Sequence, residues 1–256
     1  VNPQARITTS WDDGHPLDMR LAERLARYGI PATFYIPFRS ERPVLDRARI
    51  RELAAQFEIG AHTMSHANLR TLSADRARQE IVDSRRYIED ITGVACDVFA
   101  PPGGKYGHRH VAMVRDAGFA GMRTVELMHV GEPTRKQGLT MLPTSLQLYS
   151  HSPAAYLRNA ARRFRPSNWM LYLIHAHCRT LEQAAASILS KAETLGGVFH
   201  LWGHSWELEE EGLWPALENT LRLLQARAGR FRLISNGSLC QEAFPHEHFA
   251  RTVSHF

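Results

Sequence analysis

"TTSWDDGHP", residues 8–16, sets a short β-branched run against two adjacent carboxylates closed by a glycine. Threonines and a tryptophan favour an extended strand, and Gly14 supplies the permissive backbone of a sharp turn. Asp12 and Asp13 repel one another, and a buried pair of carboxyls does not readily ionise together. The stretch is either a solvated turn of the Asx type or a strand end where a cation compensates the pair.

Working outward, the same unit of strand, loop and amphipathic helix recurs. "RITTSW" precedes Leu17, Leu21 and Leu25, which share one helical face, and "ATFYIP" precedes the helical "DRARIRELAAQF". "FEIGAH" leads into a long helix carrying Leu72, Ile81, Ile88 and Ile91; "CDVFAP" leads into "HRHVAMVRDAG", followed by "FAGMRT". "GGVFHLW" precedes Leu213, Leu217, Leu221 and Leu224, and "RFRLIS" closes the series. Strands alternating with helices imply an α/β protein with a mainly parallel sheet. About seven such strands in this length fit a distorted (β/α) barrel. A doubly wound sheet is the competitor, but no Gly-rich phosphate fingerprint follows the first strand. The segment between Leu139 and His177 is less regular, with one helix expected around "SPAAYLRNAARRF".

The chain has 256 residues and no internal repeat or linker, so residues 1–240 read as one domain and 241–256 as a tail. No apolar run approaches the roughly 20 residues of a membrane span. The net charge of +5 comes mostly from arginines interleaved with acids on helical stretches, which argues for solvated faces and against nucleic acid as a partner. Three scattered cysteines form no disulfide framework and no leader segment is visible, which favours the cytoplasm. The chain begins at Val1 rather than Met, so a processed N-terminus stays open, as does the oligomeric state.

In parallel α/β folds, chemistry gathers in the loops after the carboxyl ends of strands. Here those loops read "WDDGH", "AHTMSH", "APPGGKYG" and "LWGHSWE". His62 and His66, at i and i+4, can reach one ion, and a carboxylate from another strand end completes a three-ligand set with open positions. Zn2+ suits these ligands, and other divalent ions remain compatible with them. One aspartate would then bind the cation while its neighbour takes a proton from activated water. "PPGG" can bring backbone N–H groups close to a substrate, and His204 titrates in the range of a general acid. Trp11, Trp202 and Trp206 adjoin these loops and either stack on a sugar ring or pack in the core. His175 and His177 read as structural rather than as a second metal site.

These four stretches, in this order, resemble the polysaccharide deacetylases of carbohydrate esterase family 4, the NodB homology domain. "TSWDDG" looks like that family's first motif, and "HTMSH" is similar to its second. "FAPPGG" resembles the third, and "HLWGHSWE" the motif of the terminal histidine. The resemblance implies a distorted (β/α) barrel and metal-dependent removal of acetyl groups, mostly N-acetyl, from a carbohydrate. It implies Asp12 as base, Asp13, His62 and His66 as metal ligands, His204 as acid, and the Gly103 N–H at the oxyanion. Trp202 and Trp206 are added as substrate contacts.

Two departures stand out. The arginine that opens the third motif is replaced by Ala100, and its tyrosine by Gly103; the fourth, Asp- and Trp-rich motif is missing between Phe119 and Thr144. Arg123 in "MRTVE" is therefore expected to orient Asp12 in place of the missing arginine, against the alternative of an ordinary surface arginine. Glu126 or Glu207 would tether His204. A glycan-binding protein without catalysis is the alternative function, and an amidohydrolase acting on a non-carbohydrate amide a third.

Overall fold

The first strand, β1 (Arg6–Asp12), is buried along its whole length although five of its seven residues are polar. The reason is its place in a curled sheet, where one face meets helices and the other lines a polar interior. Ile7 and Trp11 pack with the helix residues Leu21 and Leu25, whereas Thr8, Ser10 and Asp12 find polar partners inside the curl. The computed structural model describes residues 4–149, 178 and 180–244.

Nine further strands follow: β2 (Thr33–Ile36), β3 (Glu58–Ala61), β4 (Val98–Phe99), β5 (Gly121–Arg123), β6 (Thr134–Lys136), β7 (Leu139–Leu142), β8 (Leu146–Gln147), β9 (Val198–His204) and β10 (Arg232–Leu233). They form one sheet in the order β6-β7-β5-β4-β3-β2-β1-β9-β8, with β10 added beside β1. All pairings are parallel except β6 with β7. The architecture is thus the expected distorted barrel, a curl whose two edge strands do not pair with each other. The seven expected strands are β1 to β5, β9 and β10. The additional ones lack an apolar signal or are very short: β6 is the exposed "TRK", joined to β7 by Gln137 and Gly138, both at positive φ as a two-residue hairpin requires.

The described helices are α1 (Asp18–Arg27), α2 (Arg47–Ala54), α3 (Ala74–Thr92), α4 (His108–Asp116), α5 (Leu181–Leu195), α6 (Ser205–Glu210), α7 (Trp214–Arg227) and α8 (Asn236–Ala243). α1 turns Leu21 and Leu25 inward and α3 turns Ile81, Ile88 and Ile91 inward, each as an apolar stripe. The larger core lies between sheet and helices. A second, smaller core fills the curl, where Ile234, Leu239 and Cys240 from the C-terminal segment meet Tyr35, Val98 and Leu142. α8 therefore closes the barrel at the amino ends of the strands. It approaches so closely that a Cβ on Gly121 would come within 2.2 Å of Cys240 Sγ. The helix expected around "SPAAYLRNAARRF", the His175/His177 pair and the tail from residue 245 lie outside the described residues.

Candidate functional site

Parallel pairing puts Asp12 opposite His204 across β1 and β9, and opposite Tyr35 across β1 and β2. The carboxyl ends of β1, β3, β4 and β9 thereby bring the four loops singled out above to one end of the barrel. After β1 the backbone turns abruptly: Asp13 has φ +80° and Gly14 φ +60°. A Cβ at Gly14 would also lie 2.6 Å from Ile36 Cγ2, so glycine is required twice over. The left-handed turn lets adjacent aspartates serve different partners. A non-glycine residue held at such a φ is a strained feature of the kind that clusters at functional sites.

Asp13 Oδ1 lies 3.4 Å from His62 Nε2 and 3.0 Å from His66 Nε2. These three residues are the group among the described residues able to hold a metal ion, each offering one ligand atom. The fit can be tested on His62. Its Nδ1 is 2.7 Å from the carbonyl oxygen of Ala100, which can only accept, so the proton sits on Nδ1. In its neutral form the ring points the lone pair of Nε2, which has no hydrogen-bond partner, at a carboxylate oxygen. Two buried acceptors facing each other are costly unless a cation lies between them. The His62 bond to a backbone carbonyl is also the usual outer partner of a metal-bound imidazole.

The loop carrying His66 is held by a residue that motif reading passes over. Glu80 of α3 is buried and accepts from Met64 N at 2.9 Å, Ser65 N at 2.8 Å and Ser65 Oγ at 2.8 Å. Those bonds fix a segment in which Thr63 and His66 both have positive φ. The signal was present in the sequence, because Glu80 falls on the buried stripe of α3 beside Ala77, Ile81 and Ser84.

Asp12 is 3% exposed and its Oδ2 accepts from Arg123, which is fully buried. The guanidinium lies 4.7 Å from the Trp202 ring centre and 5.4 Å from that of Tyr35. Arg123 is thus an interior arginine, not a surface one. Asp12 Oδ1 has no partner among the described residues. Ala100, where the family pattern has arginine, contributes its carbonyl to His62 instead.

His204 Nε2 is 4.0 Å from both Asp12 Oδ2 and Asp13 Oδ2. Its other nitrogen, Nδ1, is 2.7 Å from Glu207 Oε2, an oxygen that also accepts from Gln147 Nε2 at 3.1 Å. Glu207 is therefore the tether, whereas Glu126 lies beside His129. Burial by itself lowers the His204 pKa; the Glu207 bond and the charges of Asp12, Glu207 and Asp13 more than reverse this and lift it to about 8. Trp202 is buried below these groups, and Trp206 hydrogen-bonds Asp13 Oδ2 at 2.9 Å. Gly103 lies at φ +58° in a tight turn at Pro102–Gly104, on the exposed rim. Asp18, at the start of α1, is fully buried beside Ser205, and burial pushes its pKa well above the usual carboxyl range. It too sits on an apolar stripe, with Leu21 and Leu25.

The Asp–His–His group thus sits at the carboxyl ends of a mainly parallel curled sheet, the geometry of a distorted (β/α) barrel. Residues 2–122 match the sequence profile of the polysaccharide deacetylase family. A peptidoglycan-N-acetylglucosamine deacetylase from Bacillus cereus is 22% identical over 166 residues, covering 61% of this chain and 60% of that protein's length. Among solved structures, a Mycobacterium smegmatis protein assigned to the polysaccharide deacetylases superposes with a TM-score of 0.67 at 16% identity, covering 95% of this chain and 92% of its own. A family 4 acetyl xylan esterase from Clostridium thermocellum, in complex with cobalt, gives 0.56 at 20% identity, with 91% and 89% covered. These structural likenesses establish the fold.

Proposed function

We propose that this protein hydrolyses an acetyl group, most often an N-acetyl, from an acetylated carbohydrate. The observation that carries the reading is the meeting at one barrel end of the Asp13–His62–His66 group, a buried carboxylate held by arginine and an imidazole held by glutamate. The Bacillus cereus relative, by its name, acts on peptidoglycan N-acetylglucosamine, which makes an N-acetylhexosamine the substrate class to test first.

Asp13, His62 and His66 would hold a divalent cation, with Zn2+ best suited to two imidazoles and a carboxylate, although the Clostridium thermocellum esterase binds cobalt. Such an ion supplies a polarised carbonyl and a water acidified toward neutrality. Asp12 accepts the attacking water's proton on Oδ1, while Arg123 on Oδ2 aims the carboxylate. Glu207 holds the Nδ1 proton of His204, so Nε2 faces the reacting centre and delivers a proton to the departing nitrogen as the C–N bond breaks. The Gly103 N–H serves the developing oxyanion. Trp202 and Trp206 wall the site from beneath and beside.

The test is acetate release by metal-loaded protein from chito-oligomers, peptidoglycan fragments and acetylated polysaccharides. Asp12→Asn should lower it by about 10²–10⁴-fold; an equally active variant removes Asp12 as the base. No acetate from any substrate would leave a glycan-binding protein in place of an enzyme.

A further inference from the structure

Trp206 occupies the second position of α6, and its indole Nε1–H donates to Asp13 Oδ2 over 2.9 Å. The other oxygen of that carboxylate, Oδ1, is the one that faces His62 and His66. The indole is itself immobilised. The Arg42 guanidinium lies 3.6 Å from its ring centre, and Arg42 is bonded in turn to both Glu210 oxygens at 2.6 and 3.3 Å. On this chain the ring also packs against His204, with centroids 5.1 Å apart.

We propose that Trp206, locked by Arg42, is a positioning residue for the cation: it occupies Asp13 Oδ2, commits the carboxylate to bind through Oδ1 alone, and so sets both affinity and coordination mode. A carboxylate free to rotate about its last bond presents either oxygen, or both together, to an ion. A donor on one oxygen removes that freedom before the ion arrives. Outer-shell bonds of this kind change metal affinity by about 10–100-fold. The inference rests on Asp13, His62 and His66 being the ligands, and it gives Trp206 a role other than a sugar platform.

The experiment uses protein stripped with a chelator and titrated with Zn2+ and with Co2+ against a chromophoric competitor. Trp206→Phe keeps a ring but removes the donor. It should bind Zn2+ about 10–100-fold more weakly, and its Co2+ complex should show a changed visible spectrum as the carboxylate becomes free to bind through both oxygens. Arg42→Met keeps the indole but unlocks it, and should weaken Zn2+ binding by less than about tenfold; this variant decides the matter if Trp206→Phe does not fold. Parent-like affinity and spectrum in Trp206→Phe, or parent-like affinity in Arg42→Met if only that variant folds, overturn the proposal. Asp13→Ala separates the two levels. If it abolishes binding while Trp206→Phe binds as the parent does, the ligand set stands and the role of Trp206 falls; if Asp13→Ala itself binds as the parent does, the ligand set is wrong.

Discussion

The two ends of the barrel interior are built from similar polar residues and treat them in opposite ways. At the amino ends of the strands Asn236 accepts from Thr8 Oγ1 at 2.9 Å, donates to the Tyr35 hydroxyl at 2.9 Å and gives its backbone N–H to Thr33 at 3.1 Å. Glu58 beside it accepts from Thr33, Ser235 and the Gly237 N–H. That network is closed, with each of these buried side chains partnered. At the carboxyl ends, Asp12 Oδ1, His62 Nε2 and two nitrogens of Arg123 have no hydrogen-bond partner among the described residues. Buried polar atoms are rarely left this way, so the open end is arranged for something that arrives, whereas the closed end only holds the barrel together.

The largest effect should come from Arg123→Ala. It leaves Asp12 buried without its counter-charge, which costs about 3–5 kcal/mol in chemical denaturation, and acetate release should fall with it. Lost stability at unchanged turnover per folded molecule would move Arg123 from the working end to the structural one. Next comes His200, buried between the ends, where Nδ1 lies 3.0 Å from the Pro143 carbonyl and Nε2 is 2.9 Å from Ser10 Oγ. Nδ1 donates to that carbonyl, and Nε2 of the neutral ring can accept from the Ser10 hydroxyl. Burial, with the Arg123 charge, lowers its pKa from 6.5 to about 3. The unfolded chain therefore takes up the proton first as pH falls, and stability present above pH 6.5 drains away down to about pH 3. Between pH 7 and pH 5 the loss should be about 2 kcal/mol, and His200→Gln should flatten that slope in urea titrations. Thr8→Val is the smallest change. Removing one donor from the closed network should cost about 1–2 kcal/mol while leaving acetate release per folded molecule untouched; a slowed reaction there would break the distinction between the two ends.

The strands and the four loops were legible because each is a local pattern: a β-branched run, a periodic helix, a glycine turn. Arg123 was legible as a cation at the next strand end once Ala100 had displaced the usual one, although its burial was not. The choice between Glu126 and Glu207 could not be made from spacing alone, since it depends on α6 beginning immediately after His204. The closure by α8 was hidden because a short segment with little periodicity acquires its meaning only from the hole it fills. Asp18 and Glu80 left a readable trace, an acid on an otherwise apolar helical stripe, and such residues merit weight beside any motif.

Within four consecutive residues, His204, Trp206 and Glu207 reach three different targets, and they do so only because the short turn that carries them has one rotational phase. Inserting a single residue after His204 would swing the indole and the glutamate by about 100°, detaching the Glu207 partner of His204 and the Trp206 partner of Asp13 together. Point substitutions can therefore dissect these roles one at a time, but a change of length in this turn can only abolish them jointly.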